Sequence, residues 1–555
     1  MSHIRRRRGG TILAALSILA LGVTACSSGG SRAASSAQPQ PGTPRNPMVA
    51  RTHDPSSATV VLTGSAAGQL AAGLARQLFV SAPVVVISAD DPVAVNAAAA
   101  DARRVNAPLL LAAPARSPAA PMPPGPRPSA GRPPSAGPRP SNGPPPPAGP
   151  PPARPPAAPG AFAPALRTEI TDLHPRDVLA IGLPVRVLSA QLPGIDVVAG
   201  PGTLPATTLP PPLSRVAVLV PPGDSAATVA MTETAQIAGA TVVPVTGDDP
   251  RADPTAIAAL SVVKPARVVA AGAGFGAPGV LAHRVAVAAT GVQLPGGGQI
   301  LFPGHRLVAL YGNPESPVLG ALGQQDLPAS IARAKQMAAS YQALSRVPVV
   351  PAFEIIATVA LGFPGPDGTY SGVSSVASLR PWVERATAAG FYVVLDLQPG
   401  RASLLEQARM YEPLLAMPNV GLALDAEWKL QPGQLPLHQI GSVSISEVNS
   451  VVRWLASLTA ELHLPQKLLG LHQFQLSMIQ DERDLDTRND DLAIVIHMDG
   501  QGTQGVKQDT WNAVTAAAPP GVFFGWKDFF TKDHPMLSPQ GTMAKVPAPV
   551  MISYQ

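Results

Sequence analysis

The residues best suited to chemistry sit together in Asp425-Ala426-Glu427. Two carboxylates separated by one residue fall on the same face of an extended strand, because strand side chains alternate. Like-charge repulsion between them favours a proton on one. A carboxyl kept protonated near neutral pH can donate to the leaving oxygen of a glycoside while a second carboxylate assists. Glu427 is therefore the candidate general acid, Asp425 the group that tunes it, and Asp396 and Asp499 the acids that position substrate. Tyr311, Glu354, His472, His497, Trp526 and Tyr554 are the candidate substrate-binding groups. Hydroxyls, imidazoles and carboxylates bond sugar hydroxyls, and aromatic rings stack on pyranose faces.

These residues are spread over more than two hundred positions, so a repetitive scaffold must gather them. Eight strand candidates run through this part of the chain: 307–311, 349–357, 392–397, 421–426, 468–472, 493–498, 522–526 and 550–554. Helical stretches fill several gaps, at 329–344, 376–388, 402–415, 445–462 and 506–516. That alternation predicts a (β/α)8 barrel over residues 301–555, with functional groups at the C-terminal ends of its strands. In the fourth strand Leu422, Leu424 and Ala426 face the helices, so Ala423, Asp425 and Glu427 point inward. The same reasoning turns Asp396, Gln398, His472, His497 and Asp499 inward, with Trp428 or Trp526 at the mouth. It does not settle the direction of Tyr311, Glu354, Lys527 or Tyr554. All five Trp and all six Tyr lie in this part, which decides where sugar stacking could occur. The same constellation also fits a satisfied polar layer in a barrel without activity.

The pattern Gly421-x-x-x-Asp425-x-Glu427 resembles the end of the chitinase-type glycoside hydrolase signature. That resemblance implies a final Glu acting as the acid. The family carries further acids where this chain has Val420 and Ala423, which puts its substrate-assisted mechanism in doubt here.

Residues 59–300 alternate strand and helix in the manner of a parallel α/β sandwich. Within them, Val84 to Pro92, an Ala-rich helix, and Asn106-Ala107-Pro108-Leu109-Leu110-Leu111 resemble the cell wall-binding repeat 2 family. A second, more divergent copy spans Arg215 to Gly274, with Thr241-Val242-Val243-Pro244 departing from the expected strand. The resemblance implies attachment to anionic envelope polymers. A Pro-rich segment, 113–160, interrupts the region; it carries arginines but no carboxylate and reads as a disordered insertion.

Residues 1–25 read as a signal peptide: Arg5 to Arg8 are followed by a short apolar run. Val23-Thr24-Ala25-Cys26 resembles a lipobox, which implies lipid on Cys26 and residence on the outer face of the membrane. Cys26 is the single cysteine of the 555 residues, so no internal disulfide can form. Residues 26–58 are polar, Ser- and Pro-rich, and read as a disordered tether. Charged residues make only 14% of the chain and the net charge is +5, with no basic cluster of the kind that binds nucleic acid.

Three other patterns carry less. Gly272-Ala273-Gly274-Phe275-Gly276 follows a strand, but the acid that would bind a ribose is missing, so no dinucleotide cofactor is expected. Gly223-Asp224-Ser225 is better read as a helix cap than an esterase block. His472 and His497 match no metal-ligand spacing, so the sequence offers no support for a metal and does not settle whether one is required. The sequence thus describes an envelope lipoprotein whose barrel binds or hydrolyses a glycan, or alternatively a non-catalytic wall-binding scaffold with a degenerate barrel.

Overall fold

A computed structural model describes residues 48–112 and 164–555. The expectations for the signal peptide, Cys26 and the Pro-rich insertion fall outside these residues.

The fold starts earlier than the sequence suggested. Met48–Val49 pairs in parallel with Thr207–Thr208, and Arg51–Thr52 pairs antiparallel with Phe79–Ser81. The short apolar run Met48-Val49-Ala50, with Ala50 buried, holds residues that composition had assigned to the tether. Two four-stranded parallel sheets follow. One is ordered Leu109–Ala112, Val84–Ala89, Asp177–Ile181, Asp196–Val198. The other is ordered Thr241–Pro244, Val216–Val220, Arg267–Ala271, Thr59–Leu62. Each is built from three strands in the same relative order plus an edge. The second sheet takes its edge from the start of the region, Thr59–Leu62, so the two sheets interlock rather than follow one another.

Residues 306–554 form a closed eight-stranded parallel barrel. Its strands are β1 (Arg306–Gly312), β2 (Val349–Ala360), β3 (Tyr392–Leu397), β4 (Val420–Asp425), β5 (Lys467–His472), β6 (Leu492–Met498), β7 (Phe523–Asp528) and β8 (Met551–Tyr554). Closure is direct: β1 pairs with both β2 and β8. The intervening helices α1 (Leu327–Gln342), α2 (Val376–Ala388), α3 (Leu404–Met410), α4 (Ile445–Glu461) and α5 (Gln504–Ala517) begin at Asp326, Ser375, Ser403, Ser444 and Thr503. Each of those side chains accepts a backbone N–H of the first turn, which fixes where the helix starts. The expected helix 402–415 breaks into two short ones at Tyr411.

Strand alternation divides the barrel into two cores. Val308, Leu310, Phe353, Ile355, Leu422 and Leu424 face the helices. Leu307, Ala309, Val350, Ala352, Tyr392, Val394, Ala423, Leu468, Ala493 and Val495 fill the lower interior, closed by Leu294, Leu301 and Phe302. This plug leaves the inward positions nearer the strand C-termini to polar side chains.

Below the plug, the α/β region is fastened to the barrel by buried charge. Arg251 is 1% exposed and bonds Asp249 at 2.8 Å and Asp490 at 2.6 Å. Arg284 bonds the same Asp490 at 2.8 Å, and His283 meets Asp491 at 2.6 Å. Removing one carboxylate leaves a guanidinium buried and short of its partner. Asp490→Ala should therefore destabilise the protein by about 1–3 kcal/mol, less than a fully buried pair because Asp490 is partly exposed. Denaturant unfolding measures this, and an unchanged midpoint would show that the clasp contributes nothing.

Candidate active site

The upper interior is formed by one inward residue from each of the eight strands: Tyr311, Glu354, Asp396, Asp425, His472, His497, Lys527 and Ser553. Asp499 follows the end of β6. At Gly525 a Cβ would lie 2.3 Å from the His497 Nδ1, so only glycine lets that ring lie across β7.

A chain of hydrogen bonds organises the acids. His472 Nε2 lies 2.9 Å from Glu354 Oε1, and its Nδ1 lies 3.0 Å from Asp499 Oδ2. All three side chains are buried. With a carboxylate on each ring nitrogen, His472 is an imidazolium. Burial opposes that charge, but Asp396 and the bonds to Asp499 and Glu354 outweigh it and raise the pKa well above the usual value. Burial likewise pushes Glu354 up, yet His472 wins and holds it at about 2. Asp499 is held low by the same imidazolium against its own burial. His497 stacks on His472 with centroids 5.1 Å apart and bonds Ser553 Oγ at 2.8 Å. Burial keeps it neutral, with a pKa of about 3.

The other three carboxyls move upward. Asp396 accepts the Tyr311 hydroxyl at 2.8 Å, and burial lifts it to about 6 despite His472. Asp425 rises well above the carboxylate range through burial and the charge of Asp396. Glu427 rises to about 7 through burial and the charge of Asp499. Lys527 holds its Nζ 3.4 Å above the centre of the Tyr311 ring, and among the described residues it has no carboxylate within ion-pair distance.

Asp425 and Glu427 do not reach the site along one strand. β4 ends at Asp425, and Ala426–Trp428 make one 3-10 turn, with the Glu427 N–H donating to Asp425 Oδ1 at 3.3 Å. The turn still brings both side chains to the same cavity, of about 730 Å³, whose wall also includes Tyr311, Trp428, Asp499 and Lys527. One carboxyl oxygen each from Asp425, Glu427 and Asp499 lie within 4.8 Å of one another.

Close carboxylates raise the question of a metal, which sequence spacing had not suggested. Asp396, Asp425 and His472 also converge within 4.8 Å, but both His472 nitrogens are already committed to carboxylates, so that set lacks its imidazole ligand. The Asp425, Glu427 and Asp499 set has the oxygen donors a hard cation takes. The same three carboxyls, with the His472 imidazolium bonded to Asp499, can also share protons among themselves. We read it as an acid cluster.

Two expected binding residues lie elsewhere. Trp526 is fully buried against Trp511 and Met498 on the helix side of β7, and its indole N–H donates to Asp528 at 2.7 Å. Tyr554 also faces the helices, where its hydroxyl bonds that of Tyr341 at 2.5 Å. The physical reason is alternation: Gly525 and Lys527 point inward, so Trp526 cannot, and Ser553 points inward, so Tyr554 cannot. Trp428, Phe474 and Phe529 supply the aromatic surface instead. Ser553 was missed; the one polar residue between Ile552 and Tyr554 was the signal for it.

A carboxyl whose pKa rises on folding contributes stability fully below its unfolded value and loses it as pH rises through the folded value. For Glu427 that window runs from 4.5 to about 7, and for Asp396 from 3.8 to about 6. Glu354, held low, acts oppositely and loses its contribution only as pH falls through about 2. His497, kept neutral by burial, opposes this between about pH 3 and 6.5. Asp425 and Asp528 are raised as well, so the Tm should decline between pH 4.5 and 7, and Glu427→Gln should flatten part of that decline. A variant with the wild-type slope would show that Glu427 ionises as freely as in the unfolded chain.

No known protein-family model matches this sequence, and no curated protein sequence matches it either.

Proposed function

We propose that the barrel hydrolyses a glycosidic bond in a cell-envelope glycan, with Glu427 as the proton donor. The observation that carries this reading is the position of Glu427. It is the most accessible of the five clustered carboxyls, it faces a cavity, and it has Asp425 and Asp499 oxygens within 4.8 Å. A pKa of about 7 suits a group that must hold a proton and release it at neutral pH. Asp425 tunes that proton, and Asp396 and Asp499 orient substrate.

A second reading is a non-catalytic glycan-binding scaffold. It draws on the Glu354–His472–Asp499 chain, in which every charge has a partner, as in a polar layer that only holds shape.

Around the barrel we place an envelope lipoprotein. Its α/β region would associate with wall polymers, a reading supported by two parallel sheets of matching strand order and by the motif around Ala107-Pro108-Leu109. Cys26 would carry the lipid. Cys26→Ser should abolish fatty-acid labelling of the protein in cells, and normal labelling of that variant would remove the anchor.

Catalysis is tested with Glu427→Gln, which keeps the shape of the side chain and loses its proton. Turnover of peptidoglycan strands, chitin oligomers or wall polysaccharides should fall by at least about a hundredfold. Glycan binding by calorimetry should persist. Equal turnover in both proteins would exclude Glu427 as the acid. Binding without turnover in the wild type would establish the scaffold reading.

A further inference from the structure

Glu427 borders two cavities. Besides the barrel cavity, a second space of about 330 Å³ is lined by Glu427, Trp428, Leu437, His438, Gln439 and Ile440. Glu427, Trp428 and Leu437 belong to both walls, so the carboxyl and the indole stand where the two spaces meet. Trp428 is half-buried and takes part in none of the ring contacts among the described residues, unlike Trp511 and Trp526.

The outer wall of the second space is built on a fixed base. The Gly441 N–H donates to the Glu427 carbonyl at 2.7 Å, and the Leu430 N–H to the Gly400 carbonyl at 2.8 Å. Lys429 Nζ bonds the Ala402 carbonyl at 2.8 Å and Glu447 at 2.7 Å. A Cβ at Gly441 would stand 2.4 Å from the Glu427 carbonyl oxygen, so the segment can return this close beneath the acid only through glycine. Between these ties the chain carries Leu437, 82% exposed, and His438 beside it. An aliphatic group, an imidazole and an amide opposite an indole are the surfaces a sugar ring uses: an apolar face to stack on, and polar groups for its hydroxyls.

We infer that the glycan lies across Glu427, with the saccharide on the leaving-group side seated between Trp428 and the 437–440 segment. This rests on the hydrolase reading. A proton donor must stand beside the glycosidic oxygen, which joins the sugar being cleaved to the one that leaves, so a donor between two cavities faces a sugar on each side. Both cavities must then be filled for full rate.

The test measures kcat/KM on peptidoglycan glycan strands and chitin oligomers of two to six units, and on aryl glycosides that place only a phenol on the leaving side. The wild-type rate should rise as sugars are added on the leaving-group side. Trp428→Ala should lower kcat/KM on the longer oligomers roughly tenfold more than on the aryl glycosides, the scale of one lost stacking contact. Trp428→Phe should recover most of that difference, which a mere folding defect would not do. A wild type that turns over but is indifferent to length on that side, or an equal loss on both substrate types, would overturn the inference and leave the hydrolase reading standing. No wild-type turnover of any of these substrates would overturn the hydrolase reading and this inference with it.

Discussion

Five carboxyl groups share one end of this barrel, and the fold must hold them without solvent. Glu354, Asp396, Asp425 and Asp499 are buried, with Glu427 just above them. Ionising all five there would cost far more than folding can supply, because an unpaired buried charge is among the most expensive things a protein can contain. The solution is the His472 imidazolium, bonded on both nitrogens. It keeps Glu354 and Asp499 charged and leaves the remaining acids to take up protons. The two groups of pKa values, one low and one high, are thus two sides of one constraint.

The scaffold serves that constraint at every level. Parallel strands in register put one inward side chain from each strand at similar depth, so acids from β2, β3 and β4 and the imidazole of β5 can meet. The apolar plug beneath them keeps water from the lower interior, which strengthens the bonds above. Glycine at 525 gives His497 room to stack on His472, and His497, kept neutral by burial, adds no competing charge. Removing a group from this set alters what its neighbours can ionise, which is how the protonation of Glu427 comes to depend on Asp499.

Much of this was legible in the sequence because a barrel strand writes its two faces as alternating letters. All eight barrel strands were readable from apolar runs and spacing, and Asp396, Asp425, His472, His497 and Asp499 turn inward as alternation requires. Trp526 and Tyr554 face the helices instead, because the inward positions beside them are taken by Gly525, Lys527 and Ser553. Glu427 reaches the cavity by a 3-10 turn instead of the strand, an outcome that counting residues along a strand could not foresee. The Glu354–His472–Asp499 chain was invisible for a different reason. Its members lie more than a hundred positions apart along the sequence at its widest, and nothing local in any of them specifies the partner. The interlocking of the two small sheets is of the same kind, since Thr59–Leu62 reads as a strand but not as the edge of a sheet formed much later in the chain.

A barrel that merely needed a stable interior could have continued its apolar plug to the top. Replacing a buried ion network by apolar side chains of similar volume is often neutral or stabilising, so stability alone does not explain five acids, two imidazoles and a lysine in one layer. Nor does the layer close over itself. Asp396 Oδ1, Glu354 Oε2 and Asp499 Oδ1 are buried oxygens without a hydrogen-bond donor. A layer built only to hold shape would satisfy such groups, because each orphaned acceptor costs about 1–3 kcal/mol. Of these, only Asp499 stands in the cavity wall beside Asp425 and Glu427; Glu354 and Asp396 lie fully buried away from it. Paired charge below and protonated carboxyls at the cavity wall above give the barrel mouth a polar layer that stability alone does not call for.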